Sequence, residues 1–154
     1  MEIPRLSNKD TREVHFYYAP PEMFGMWWQM LEMALDAHPK AWEDYTKDDI
    51  FNRLQNGLLQ LWYFEENKQP KLMIMTQKLR FQNRTELQIV WSSGSFSRFV
   101  AYSDWAFDKC MDAMSCDCIS IMTPRFGWEK RLAAHGFRKT HVKLLRWKHA
   151  ETIQ

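Results

Sequence analysis

The sequence predicts a mixed α/β domain, a central sheet in the order β-α-α-β-β-β-α-β-α-β with helices on both faces. Three observations lead there. Three strand-like runs, 58–66, 71–81 and 85–93, are joined by ENKQP and QNR, connections short enough for antiparallel hairpins. The second half alternates strand and helix, and a strand–helix–strand run returns by a crossover to a parallel neighbour. The first helix is apolar over a wider arc than a solvent-facing helix needs.

Each element has a local reason. VHFYY (14–18) is rich in β-formers, and Pro20-Pro21 ends it. PEMFGMWWQMLEMALDAH carries two overlapping apolar stripes at helical spacing: Met23, Trp27, Met30 and Ala34, then Trp28, Leu31 and Leu35. Pro21 suits a first helical position, and Pro39 cannot lie inside the continuation. The second helix opens at Thr46, a capping side chain, with Asp48 and Asp49 where the helix dipole favours negative charge. Ile50, Phe51 and Leu54 give it an inner face, and Gly57 fits a left-handed stop. In the run 85–93, strict alternation places Leu87, Ile89 and Trp91 on one face and Glu86, Gln88 and Val90 on the other. SFSRFVAYSDWAFDKCMDAMS reads as one helix, capped by Ser95 or Ser97, with Phe96, Phe99, Val100, Phe107, Cys110 and Met114 along one side. CDCISIM (116–122) is the next strand. GWEKRLAAH is a helix closed by Gly136, and FRKTHVKLLRW (137–147) is expected as the last strand. With no repeats and no low-complexity linker, residues 1–154 form a single domain.

Composition narrows the function classes. Of 154 residues 45% are hydrophobic and 26% charged, which argues against disorder. No apolar stretch is long enough to span a bilayer, and MEIPRLSNKDTREV lacks the apolar core of a signal peptide, so the expected location is the cytoplasm. Three cysteines, Cys110, Cys116 and Cys118, suggest reduced thiols. Cys116 and Cys118 could share one side of a strand, but no histidine pair or second cysteine pair completes a tetrahedral set, and no metal is expected. His135, before Gly136, suits a helix C-terminus.

The net charge of +2 is unevenly spread. Acids dominate 36–49; from Arg125 to Lys148 the bases Arg125, Lys130, Arg131, Arg138, Lys139, Lys143, Arg146 and Lys148 face Glu129 alone. An anionic ligand, nucleic acid or an acidic partner would suit that edge. A solvated helix face beside a lysine-guarded edge strand explains it as well. HVKLLRWKH could stack on single-stranded nucleic acid, or simply alternate as a terminal strand. Eight tryptophans and ten methionines fit an adaptable contact surface. The first helix, through Met23, Trp27, Trp28 and Met30, is where a protein partner or a second copy is expected.

The element order, and the ending helix, Gly136-Phe137, strand, resemble the GNAT acyltransferases across essentially the whole chain. The resemblance implies a cleft for acetyl-CoA between the fourth and fifth strands, entered by a turn of pattern Gln/Arg-x-x-Gly-x-Gly/Ala whose backbone N–H groups meet the pyrophosphate. WSSGSF (91–96) is the equivalent stretch. Gly94 fits, whereas Trp91 stands where Gln or Arg would be and Phe96 where Gly or Ala would be. The family's tyrosine acid, four residues before the Gly of GF, corresponds to Leu132, and its asparagine falls near Arg125. Glu86 holds a strand position where family members often carry a general base, although an outward solvated carboxylate is the plainer reading.

Size, the polar start, the LWYF strand and the GWEKRL helix further resemble short GNAT-like proteins of tailed phages, some of them internal or assembly proteins of the virion. Two expectations follow. In one, catalysis is lost, no cofactor is bound, and the fold serves binding or assembly. In the other, an acetyl-CoA-dependent N-acyltransferase holds pantetheine along Val90, Trp91 and Ser92 and the phosphates at Gly94 and Ser95, with Ser93 and Arg98 as further donors. Phe96 discriminates between them: turned into the core, it leaves the turn open.

Overall fold

The computed structural model describes residues 2–7, 13–37, 39, 45–122, 127–141, 144, 146 and 148. One six-stranded sheet runs in sequence order: β1 (Glu2–Ser7), β2 (Glu13–Ala19), β3 (Gln60–Glu66), β4 (Gln69–Arg80), β5 (Thr85–Gly94) and β6 (Cys118–Ile121). Neighbours are antiparallel except β5 and β6, which are parallel. Helices α1 (Phe24–Ala37) and α2 (Lys47–Gln55) precede β3; α3 (Phe96–Ser103) and α4 (Ala106–Met114) form the crossover to β6; α5 (Gly127–Ala133) follows.

The predicted mixed sheet with helices on both faces is therefore present, with three corrections to its parts. An additional strand, β1, pairs with β2 ahead of the first predicted strand. The crossover helix is two helices, broken around Asp104–Trp105, where Ser103 Oγ turns back to donate to Val100 O at 2.7 Å. The closing strand expected over 137–147 is not formed at the described residues 137–141, 144 and 146; the rest of that segment, like Arg125, lies outside the described residues.

Alternation along the strands builds two cores. Phe16, Trp62, Phe64, Ile74, Leu87 and Ile89 join Phe99, Phe107, Cys110 and Leu132 of α3, α4 and α5 on one face. Leu61, Tyr63, Met73, Met75 and Trp91 join Leu31, Leu35, Ile50 and Leu54 of α1 and α2 on the other. The wide apolar arc of α1 is largely used here: Trp27 meets Tyr63 edge-on at 4.8 Å and Trp28 meets Phe51 at 5.0 Å, while Met33 stays 69% exposed. Thr46 caps α2 with a full capping box alongside Asp49, and Lys47 ties α2 to Asp36 of α1 at 2.6 Å.

The first core holds a buried polar chain. Trp62 Nε1 donates to Thr76 Oγ1 at 2.9 Å, Thr76 Oγ1 donates to Gln60 Oε1 at 2.9 Å, and Gln60 Nε2 donates to Gly57 O at 3.0 Å. Thr76→Val keeps the shape but strands an indole N–H and an amide oxygen, an expected loss of about 1–3 kcal/mol. Denaturant unfolding checks it; an unchanged midpoint would mean that water replaces the hydroxyl.

Candidate functional site

β5 does something simple alternation does not foresee. Met75 pairs with Trp91 but Thr76 pairs with Ile89, so Val90 is an extra residue, a bulge on β5. Beyond it the side-chain phase shifts. Leu87 and Ile89 lie in the first core, whereas Val90 and Trp91 both pack into the second, which corrects the expectation that Leu87, Ile89 and Trp91 share a face.

The same point marks the end of parallel pairing. β6 matches β5 from Glu86↔Cys118 to Ile89↔Ile121, and the last bond runs from Met122 N to Ile89 O at 3.2 Å. On its other side β5 continues to Gly94, paired with Leu72 of β4. Among the described residues, the β6 edge of Val90–Gly94 has no strand partner. A bulge bends its strand and raises the local twist, and the two strands part where this one sits.

At the end of that open edge the chain turns into α3. Gly94 has φ +138°, and a Cβ there would lie 2.6 Å from Lys71 O and 2.9 Å from Leu72 Cδ1. Its lack of a side chain is thus required by the approach of β4. Ser95 caps α3, accepting from Arg98 N at 3.2 Å. Phe96 does not fill the turn. It packs against the first core, with its ring 4.8 Å from Trp128 of α5 and the Arg131 guanidinium 5.1 Å above it. On the α1 side, a shallow cleft of about 250 Å³ is lined by Met30, Met33, Ala34, Pro70, Lys71, Leu72, Met73, Ser93 and Gly94.

The candidate cofactor residues Val90, Trp91, Ser92, Ser93, Gly94 and Ser95 are therefore contiguous along this edge and turn, although the Trp91 indole is buried in the second core, with no hydrogen-bond partner for Nε1 among the described residues. Arg98 leans inward: its Nε lies 3.5 Å from Glu66, a buried carboxylate that also accepts from Tyr102 Oη, and Nη1 lies 3.5 Å from Ser95 Oγ. Glu86 is apart from the others. Four strand steps place it about 13 Å from Val90, and both of its oxygens are engaged, one by Arg84 Nε at 3.3 Å and the other by Ser120 Oγ at 2.7 Å. Leu132, at the family's tyrosine position, is 2% exposed inside the first core. Sequence reading missed Trp128 and Arg131 as neighbours of the turn; the basic run was visible, its seat against α3 was not.

Burial pushes the Cys110 thiol well up and raises that of Cys116, and among the described residues no three His, Cys, Asp or Glu side chains converge as a metal site. Alkylation followed by mass spectrometry is expected to label Cys110 last, at the rate of global opening, and to label Cys116 faster as rising pH approaches its raised pKa. His135 Nδ1 sits 2.8 Å from Asp104 Oδ1, tying α5 to the α3–α4 break. No helix among the described residues is long and apolar enough to cross a membrane.

No family model and no curated protein matches the sequence. Solved structures do resemble the fold. A possible acetyltransferase of Clostridium difficile 630 superposes with a TM-score of 0.57 at 8% identity, covering 92% of this chain and 99% of that one. A ribosomal-protein-alanine N-acetyltransferase of Brucella melitensis biovar Abortus 2308 gives 0.58 at 11% identity, covering 87% and 99%. A predicted acetyltransferase of Clostridium acetobutylicum, solved with acetyl-CoA, gives 0.56 at 15% identity, covering 86% and 94%. The chain has the GNAT acetyltransferase fold.

Proposed function

We propose that the chain holds a CoA thioester in the gap between β5 and β6 and transfers its acyl group to an amine by positioning and carbonyl polarisation, without a side-chain acid. One observation supports this above all: β5 runs past the end of its pairing with β6, from the Val90 bulge to the Gly94-Ser95 turn, and Phe96 turns away from that turn onto Trp128. The edge of β5 beyond Ile89, which has no strand partner among the described residues, suits the amides of pantetheine, and the turn suits the phosphates. The neutral amine nitrogen attacks the thioester carbon, the C–N bond forms and the C–S bond breaks, the nitrogen gives up one proton to solvent, and the thiolate leaves, taking one from solvent. No side-chain acid serves it in this reading, since Leu132 stands in the acid's place. Orientation and carbonyl polarisation supply the rate.

Acetyl-CoA in large excess tests the reading. A ligand at about 100 times its dissociation constant adds roughly 2.7 kcal/mol, or about 5–10 °C in midpoint for a domain of this size. No shift and no heat on titration would refute it. Because Glu86 stands far up the strand with both oxygens engaged, Glu86→Gln is expected to keep the transfer rate within about threefold, where loss of a general base costs about a hundredfold or more.

A second reading, a non-catalytic binding or assembly protein such as a phage virion component, draws support from the burial of Leu132 and from the exposure of Met23 and Met33 beside α1. There Met23, just ahead of α1, with Trp27, Trp28 and Met30 on it, meets a protein partner or a second copy. Light scattering that shows concentration-dependent association, with no response to acetyl-CoA, would favour it. Both readings place the work in the cytoplasm or in a particle assembled there.

A further inference from the structure

The residue that departs most from the family's turn pattern, Phe96, has a use of its own. Its ring meets two residues of α5: Trp128 at 4.8 Å, which also meets Phe99 at 5.2 Å, and the Arg131 guanidinium at 5.1 Å. The α5 helix is thereby clamped to the first turn of α3, and the guanidinium lies against Phe96, the residue that follows the Gly94-Ser95 turn. Arg131 is exposed, and no carboxylate among the described residues forms an ion pair with it; Glu129, two residues earlier and so on another face of the helix, lies 3.7 Å from Lys139. Arg98, the cation next to the turn in sequence, is drawn towards buried Glu66. Arg131 is thus the better placed of the two guanidinium groups to meet an anion. A guanidinium resting on an aromatic face is pre-organised, and its planar fork matches two phosphate oxygens.

We propose that Arg131, seated on Phe96, binds the pyrophosphate of the CoA ligand and so replaces with a side-chain cation what a turn of small residues supplies through backbone alone. This rests on the acyl-CoA reading for the identity of the ligand, but not for the presence of an anion site. The aromatic residue at position 96 is then part of the binding apparatus, and the basic run of the C-terminal third has a specific task.

Calorimetric titration of the full chain and of Arg131→Met, Arg131→Lys and Phe96→Leu with CoA, 3′-dephospho-CoA and inorganic pyrophosphate tests it. Arg131→Met is expected to weaken all three ligands about tenfold, the size of one lost charge-assisted hydrogen bond, with the unfolding midpoint in the absence of ligand lowered by no more than about 2–4 °C, the worth of one exposed cation–π contact. Arg131→Lys should recover part of the loss, because it keeps the charge without the fork. Phe96→Leu, which keeps apolar bulk but removes the ring face, should fall between. Added salt should weaken the parent chain more than Arg131→Met. Equal binding by the parent and Arg131→Met would overturn the proposal and leave the acyl-CoA reading standing. A loss confined to CoA and absent with 3′-dephospho-CoA would overturn the pyrophosphate assignment in favour of the 3′-phosphate. Arg131-dependent binding of pyrophosphate with no binding of CoA would uphold the anion site and defeat the acyl-CoA reading. A parent chain that binds none of the three would defeat both.

Discussion

Deleting Val90 is expected to abolish any response to acetyl-CoA while lowering the unfolding midpoint by only about 2–4 °C. Across the bulge Thr76 pairs with Ile89 and Met75 with Trp91, so two residues of β5 stand against one step of β4. Removing the extra residue leaves Leu87 and Ile89 in the first core and Trp91, 3% exposed, among Leu31, Leu35 and Met75, now in strict alternation. What is lost is the packing of Val90, about 1 kcal/mol, together with the bend and extra twist that carry β5 away from β6. Val90→Ala is the control, since it keeps the backbone count, loses similar packing and should keep the response to acetyl-CoA. A deletion variant that still responds to acetyl-CoA as Val90→Ala does would show that the bulge is not what opens the edge beyond Ile89.

Gly94→Ala is expected to cost about 3 kcal/mol, close to the loss from a core truncation although a single methyl is added. Two terms act together. At φ +138° a residue with a side chain is strained by about 1–3 kcal/mol, and its Cβ would meet Lys71 O at 2.6 Å, a backbone atom of a paired strand that cannot step aside. Gly25 and Gly57 supply the contrast. Nothing lies within 4 Å of a Cβ at either. Gly25 is inside α1, so Gly25→Ala should stabilise by about 0.5–1 kcal/mol, while Gly57, at φ +74°, should lose about 1–2 kcal/mol. Denaturant midpoints for the three variants check the order. Equal losses at Gly57 and Gly94 would mean that β4 shifts to relieve the contact. Because Gly94 is needed by the sheet itself, its presence is weak evidence for a phosphate turn; the bulge and the open edge carry more weight.

Much of this architecture was legible in the residues. Helical spacing gave the inner faces of α1 and α2, Thr46 and Ser95 cap as their side chains suggest, and Gly136, at φ +85°, ends α5 with Phe137 N bonded back to Leu132 O at 3.2 Å. What was not legible shares a physical cause, dependence on partners distant in sequence. The Val90 bulge exists only in the register between β4 and β5; TELQIVWSS alternates well enough to hide it. The break between α3 and α4 falls in a run, YSDWAF, whose apolar spacing continues through it. At the site, the contiguous residues 90–95 were found as a string, whereas the inward lean of Arg98 to Glu66 and the approach of Arg131 to Phe96 depend on β3 and α5 packing beside α3.

Amide hydrogen exchange with and without saturating acetyl-CoA is the most direct test of a cofactor cleft at the parting of β5 and β6. The expected result is slowed exchange confined to residues 90–98, the open edge of β5 and the first turn of α3, with the β4–β5 ladder from Thr85 to Ile89 unchanged. Protection elsewhere, or none anywhere while the chain stays folded, would contradict a cofactor site there and leave the fold as a scaffold for another partner.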